Sequence, residues 1–236
     1  MSGHKIFTAL GLMSGTSLDG IDAAVIKTDG KSIVFFGPFD SKLYNLEFKN
    51  RLRAEFGNRT VPKILEEDLT YLHANFVNEI CAKNGLSCAE IDVIGFHGQT
   101  ILHEPKNSFT LQIGDGALLS DLLGCPVVDN FRAADVAAGG EGAPLVPAYH
   151  QALMKKFNGP TAVINIGGVA NVSFINGDYL LAFDTGPGNA LIDDIVHLKT
   201  GKPFDKGGLL AMQGNVDFKI LDDLLGHSYF KRQPPK

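Results

Sequence analysis

Three glycines, three small hydroxyls and two carboxylates crowd into Leu10-Gly-Leu-Met-Ser-Gly-Thr-Ser-Leu-Asp-Gly-Ile-Asp22. Glycine lets a backbone approach a ligand closely or take positive φ, and successive N–H groups in such a turn form a concavity suited to an anion. Gly15, Thr16, Ser17, Leu18, Asp19, Gly20, Ile21 and Asp22 are therefore a candidate phosphate-holding turn. Asp19 and Asp22 are placed to hold a cation, directly or through its water. Two plainer readings compete: Asp22 as a turn cap, and the whole stretch as a glycine-rich hairpin loop with no ligand. A dinucleotide fingerprint or a P-loop needs a helix directly after the glycines. Here a strand follows instead and no Gly-Lys-Ser/Thr is present, so both are disfavoured.

The elements that must position this turn are legible from alternation. Residues 22–27 predict a strand, Thr28-Asp-Gly-Lys31 a tight turn and residues 32–36 a third strand. A short helix is expected within 44–56. A stronger one starts at Thr60-Val-Pro62, with Leu65, Leu69, Leu72, Phe76 and Ile80 on one buried stripe and Gly85 as its stop. His73 and Asn75 fall off that stripe and are expected on a solvated face. Residues 91–96 predict an apolar strand that delivers His97-Gly-Gln-Thr100 at its C-terminal end, where ligands gather in open α/β sheets. His103 follows. A strand at 109–113, a helix at 117–123 and a short strand at 126–128 lead to Asp129-Asn-Phe-Arg132. The alanine- and glycine-rich run 133–144 reads as a hinge or active-site loop, which sets expected domains of 1–137 and 138–236. A helix over 145–157 carries His150.

From Thr161 the opening pattern returns: strand 161–166, turn Gly167-Gly168, strand 169–175, the hairpin signal Asn176-Gly177 and strand 179–183. Asp184-Thr-Gly-Pro-Gly-Asn189 then opens onto a helix whose N-terminus would face a phosphate. Two copies of strand, glycine turn, strand, hairpin and strand predict two related lobes facing each other across a cleft; chance similarity in a glycine-rich chain is the alternative. Helical spacing resumes at Phe218, Ile220, Leu221, Leu224 and Leu225.

The bulk figures narrow the class. The chain has 236 residues, 44% hydrophobic and 20% charged, with a net charge of −5. That allows a sizeable core and two domains, and argues against a duplex-binding surface and nucleic-acid partners. Cys81, Cys88 and Cys125 lack metal-ligand spacing and read as reduced thiols of a cytoplasmic protein. Neither a secretory cleavage region nor a membrane-spanning run is evident.

Seven blocks in order, from Gly11–Asp22 through His97–Thr100, Thr110–Gly114, Phe131-Arg132, Asp135–Gly140 with Gly142–Pro147, Asn165–Gly168 and Phe183–Asn189, resemble the anhydro-N-acetylmuramic acid kinase family. The resemblance implies an α/β fold of duplicated actin-like (ribonuclease H-like) lobes with mixed sheets. Family members are longer, so it also implies an incomplete second lobe: an N-terminal fragment, a truncated product, or a half that pairs with a separately encoded C-terminal part. A non-catalytic fragment and another actin-like sugar or acetate kinase are the rival classes. The implied reaction uses ATP and Mg²⁺ to open an anhydro amino sugar with water and phosphorylate its O6. In it Asp184 is the base, or else a cap for the turn after it. Gly167 and Gly168 form the second phosphate-side turn. Arg132 meets the lactyl carboxylate, or else makes a surface ion pair. His97 and Gln99 line the sugar pocket, with a neutral His97 holding a strand end as the alternative. His103 and His150 are structural. A homodimer is also implied. Asn130 and Glu141 stand where the family usually has Asp and Gln.

Overall fold

The computed structural model describes residues 5–235 and divides them into two compact units meeting at Leu145–Val146. In the first, β1 (Phe7–Ser14), β2 (Gly20–Thr28) and β3 (Ile33–Leu43) form an antiparallel meander. Strand β3 runs well past the expected residue 36. Gly37 and Pro38 look like a stop, but the register shifts between Ala24 and Ile26 to absorb them, and Gly37 sits where a β-carbon would lie 3.0 Å from the Val25 carbonyl.

Helices α1 (Leu46–Ala54) and α2 (Lys63–Lys83) then cross to β4 (Val93–Glu104), which lies parallel to β1. Strand β5 (Phe109–Ile113) pairs antiparallel with β4, helix α3 (Gly116–Leu123) follows, and β6 (Val127–Val128) pairs parallel with β4. The resulting order is β3-β2-β1-β4-β5, with β6 beside β4. The sheet is thus mixed, and with the helices between its strands the unit is mixed α/β.

Expectations for α2 and for the run 133–144 also fail, for physical reasons. Helix α2 buries Thr70, His73, Ala74, Val77 and Cys81 besides the leucine stripe, so its apolar face is wider than periodicity suggests. His73 is not solvated: it is fully buried, its Nδ1–H donates to the Leu69 carbonyl at 2.8 Å, and its ring lies 4.9 Å from that of Phe96. Burial pushes its pKa down to about 4. Asn75 is exposed as expected. The second failure is the run 133–144, whose first half is helical: α4 spans Phe131–Ala137, as alanine's high helix propensity favours.

Strand β4 also outruns its expected end at Phe96, so His97 and Gln99 lie inside it. A bulge allows this. Leu12 pairs with Phe96 but Ser14 pairs with Gln99, which puts one extra residue on β4 between them. Gly98 takes φ +67° there, and a β-carbon at this position would sit 2.3 Å from the Ile113 carbonyl oxygen. Only glycine meets both conditions.

The second unit comprises α5 (Pro147–Met154), an antiparallel sheet of β7 (Thr161–Ile166), β8 (Val169–Asn176) and β9 (Tyr179–Pro187), α6 (Ala190–Thr200) and α7 (Phe218–Leu225). Helix α5 is shorter than the expected 145–157 and begins at a proline, which suits the first helical position. Buried residues are few: Ser173, Ile175 and Val196, while Phe218, Ile220 and Leu224 on α7 are exposed.

Gly98→Ala should lower the unfolding free energy by well over 2 kcal/mol in urea titration, because a left-handed alanine costs about 1–2 kcal/mol and the carbonyl clash adds to it. Gly124→Ala, at φ +63° with open space around it, should show the conformational cost alone. Equal losses at the two sites would remove the clash from the account.

Candidate functional site

In the first unit two groups of side chains flank the Gly98 bulge. One surrounds the glycine turn. Gly15 to Asp19 link β1 to β2, and the Leu18 N–H closes the turn onto the Gly15 carbonyl at 3.0 Å. Leu18 takes φ +59° and is 1% exposed, and Ile21 is buried as well. The side chains of these two therefore anchor the turn in the core, and only their backbone could meet a ligand. Thr16, Ser17 and Asp19 are exposed. Among the described residues no hydrogen bond engages the amides or hydroxyls of Thr16 and Ser17, so these donors are available. Gly20 allows the turn to run against β3, since a β-carbon there would lie 2.1 Å from the Lys42 carbonyl oxygen. Asp22 is an exposed residue of β2 whose carboxylate accepts from the Ser41 hydroxyl across the sheet at 2.5 Å, a cross-strand bond rather than a turn cap.

The second group joins β4 to α4. The His97 Nδ1–H donates to the Gly98 carbonyl at 2.7 Å, which leaves Nε2 to accept from the Arg132 Nε–H at 2.9 Å. That pair of bonds requires neutral imidazole. Desolvation, followed by the Arg132 charge, lowers the His97 pKa, with the Gly98 bond opposing. Arg132 Nη1 donates to the Gly142 carbonyl at 2.7 Å, and the Gly142 N–H donates to Asp135 Oδ2 at 2.7 Å. Gly142 is buried at φ +67°, with His103 and Val136 against it; His103 itself bonds Thr110. Among the described residues no carboxylate lies within 4.0 Å of Arg132, so the surface ion pair is not found. Arg132 is a half-buried cation held by neutral partners and open to an anion, and burial lowers its pKa too.

Gln99 is placed differently from its neighbour. It is 0% exposed and accepts from the Ser14 hydroxyl at 2.6 Å, so it faces the glycine turn rather than Arg132. Tyr44, which no motif or spacing singles out, bonds the same hydroxyl. Asp135 and Gly142 were visible only as parts of a recurring block. Asn130 takes φ +55° just before α4, a conformation asparagine tolerates better than most residues.

In the second unit Gly167 and Gly168 interlock with the end of β9. The amides of Gly188, Asn189 and Ala190 donate to their carbonyls at 2.9, 2.7 and 3.3 Å, and a β-carbon on Gly188 would lie 2.2 Å from the Gly167 oxygen. The amides of Gly188, Asn189 and Ala190 are therefore engaged within the unit and not free for an anion. Asp184 lies within β9, opposite Asn171, not in a loop after it. Its carbonyl accepts from the Tyr229 hydroxyl at 2.5 Å. Among the described residues nothing bonds its exposed carboxylate, so it does not cap the Thr185–Asn189 turn. His150 bonds the buried Ser173 at 2.9 Å, a structural contact.

The family model for anhydro-N-acetylmuramic acid kinase matches residues 7–236. The chain belongs to this family. Anhydro-N-acetylmuramic acid kinase of Paramagnetospirillum magneticum is 51% identical over 97% of this chain and 64% of its own length. The kinase of Nitrobacter winogradskyi is 48% identical over 98% of this chain and 67% of its own, and that of Rhodopseudomonas palustris 48% over 98% and 66%. The chain thus spans about two thirds of the length of these curated anhydro-N-acetylmuramic acid kinases. Among solved structures, an exopolyphosphatase-like protein covers 80% of this chain and 53% of its own at 11% identity, with a TM-score of 0.40, a likeness too loose to argue from.

The His97 imidazole should titrate below the ordinary 6.5 in NMR, and Arg132→Ala should move it upward by removing a cation. Its neutral form contributes stability that is present above the unfolded value and is lost as pH falls through the lowered folded value. A wild-type midpoint at or above 6.5 would contradict the neutral acceptor.

Proposed function

We propose that the chain acts as an ATP-dependent anhydro-N-acetylmuramic acid kinase of peptidoglycan recycling, which opens the 1,6-anhydro ring with water and phosphorylates O6 to give N-acetylmuramic acid 6-phosphate and ADP. The observation that carries this is 51% identity to such a kinase over 97% of the chain. An actin-like pair of lobes underlies the reading. Its support is the antiparallel meander of β1 to β3, which recurs as β7 to β9.

In this reading the free amides and hydroxyls of Thr16 and Ser17, with Gly15 and Gly20 allowing close approach, receive phosphate oxygens, and Gly167 and Gly168 form the second turn on the phosphate side. Asp19 and Asp22 would hold Mg²⁺, which neutralises phosphate charge when bound. Among the described residues no cluster of three or more His, Cys, Asp or Glu side chains could cage a metal. Two carboxylates suit an ion that also takes phosphate and water oxygens. Arg132 receives the lactyl carboxylate of the sugar, oriented by the neutral His97. The unengaged carboxylate of Asp184 takes a proton from the water that attacks C1, as a positioned base can. Three free cysteines fit a reducing, cytoplasmic setting, and among the described residues no helix is long and apolar enough to cross a membrane. A homodimer is part of the same proposal.

Asp184→Asn should reduce kcat by 10²-fold or more while leaving the urea midpoint unchanged, since the side chain is exposed; retained turnover would remove the base. Arg132→Ala should raise KM for the muramic substrate by about 10- to 100-fold, the size expected for lost charge-assisted hydrogen bonds. An analogue without the lactyl acid should be much less affected, and an equal loss on both would refute the pairing.

A further inference from the structure

The residues flanking the glycine turn are more buried than a simple loop requires. Ser14, at its start, is 1% exposed, Gln99 0% and Tyr44 7%. Ser14 has a single hydroxyl proton. At 2.6 Å from Gln99 Oε1, an acceptor that cannot donate, that proton goes to Gln99. The Tyr44 hydroxyl, 2.8 Å away, must then donate to Ser14 Oγ. Gln99 spends an Nε2 proton on the Thr100 carbonyl at 3.2 Å, so all three side chains are hydrogen-bonded. Burial pushes the Tyr44 phenol up from its ordinary value, which keeps this donor protonated. Tyr44 also holds the far end of the turn, because its backbone N–H donates to the Asp19 carbonyl at 3.1 Å. Its ring is fixed in turn against Phe48, with centroids 5.1 Å apart.

The turn is therefore clamped at both ends while its rim, Thr16 and Ser17, stays exposed and unbonded. A rim of free donors on a fixed base is the arrangement that lowers the ordering cost of binding an anion. Gln99 reaches Ser14 only because the Gly98 bulge brings it, rather than position 98, opposite that residue.

We propose that Tyr44 and Gln99 are positioning residues for the nucleotide's phosphates, acting through Ser14 and Asp19, and that Gln99 does not touch the sugar. This rests on the reading of Gly15–Asp22 as the phosphate turn. It gives Tyr44 a role and moves Gln99 from the sugar side to the nucleotide side.

The test compares the full chain with Tyr44→Phe, which removes only the hydroxyl, and with Gln99→Leu. Hydrogen–deuterium exchange of the free proteins should show the Leu18 amide, which closes the turn onto Gly15, exchanging at least 10-fold faster in both variants, with the β1 and β2 amides unchanged. Steady-state kinetics should show KM for Mg-ATP rising by 10-fold or more and KM for the anhydro sugar unchanged. Unaltered exchange in the turn overturns the clamp. A rise in the sugar KM without one for Mg-ATP overturns the assignment of Gln99. Should Gln99→Leu not fold, Tyr44→Phe carries both measurements, since it keeps the ring and the backbone bond. Wild-type chain that binds no Mg-ATP in calorimetry would sink the phosphate reading itself. Wild type that binds it while the variants bind it equally well would sink only the clamp.

Discussion

A carbonyl oxygen of β5 stands 2.3 Å from the place a β-carbon would occupy at position 98. That contact, with the positive φ beside it, makes glycine obligatory at the bulge, where β4 carries one residue more than β1. Most of the first unit's chemistry depends on this bulge. On one side His97 turns toward Arg132, and its own Nδ1–H is spent on the carbonyl of the bulged glycine. On the other, Gln99 comes into register with Ser14. A regular strand would set His97 and Gln99 on the same face, and one of these two partnerships would be lost.

The electrostatics of the arginine follow from the same geometry. Arg132 is half buried, and its bonds run to a neutral imidazole and to a backbone carbonyl, neither of which cancels its charge. Such a cation is costly to shelter without a counter-ion, which makes the position receptive to a carboxylate or phosphate. Asp135 contributes indirectly: it holds the Gly142 amide, whose carbonyl receives the guanidinium, without approaching within ion-pair distance. Orientation is thereby provided without neutralisation.

Much of the fold was legible in the sequence because alternation and turn chemistry are local. The two meanders, the Asn176-Gly177 hairpin and the leucine stripe of α2 needed only neighbouring residues to be read. What failed was non-local. Gly98 looks like a strand end unless one knows that Ile113 lies against it. The Asp-Thr-Gly-Pro run after Phe183 reads as a loop, yet pairing with Asn171 and Ala170 keeps it in the sheet through Pro187. A 3.6-residue period marks one stripe and so places His73 on the solvated face, whereas α2 buries a wider surface. Of the candidate site, the glycine turn and Arg132 carried signals in residue type and spacing. Tyr44 carried none, since its partner lies 30 residues away. The helix start near Ala190 carries no sign that the Gly167 and Gly168 carbonyls take the amides of Gly188, Asn189 and Ala190.

Strand β1 sits between a near neighbour and a distant one. Its pairing with β2 closes across a short turn, whereas the Thr8 amide meets Asp92 only after 84 residues of intervening chain. Closing that larger loop costs about 2 kcal/mol more in chain entropy than closing the turn, and non-local pairing is slow to form. The meander is thus the early part of the assembly, and the Ser14–Gln99 bond, spanning 85 residues, is made late. A ribosome must have released β4 before the glycine turn can acquire its final shape.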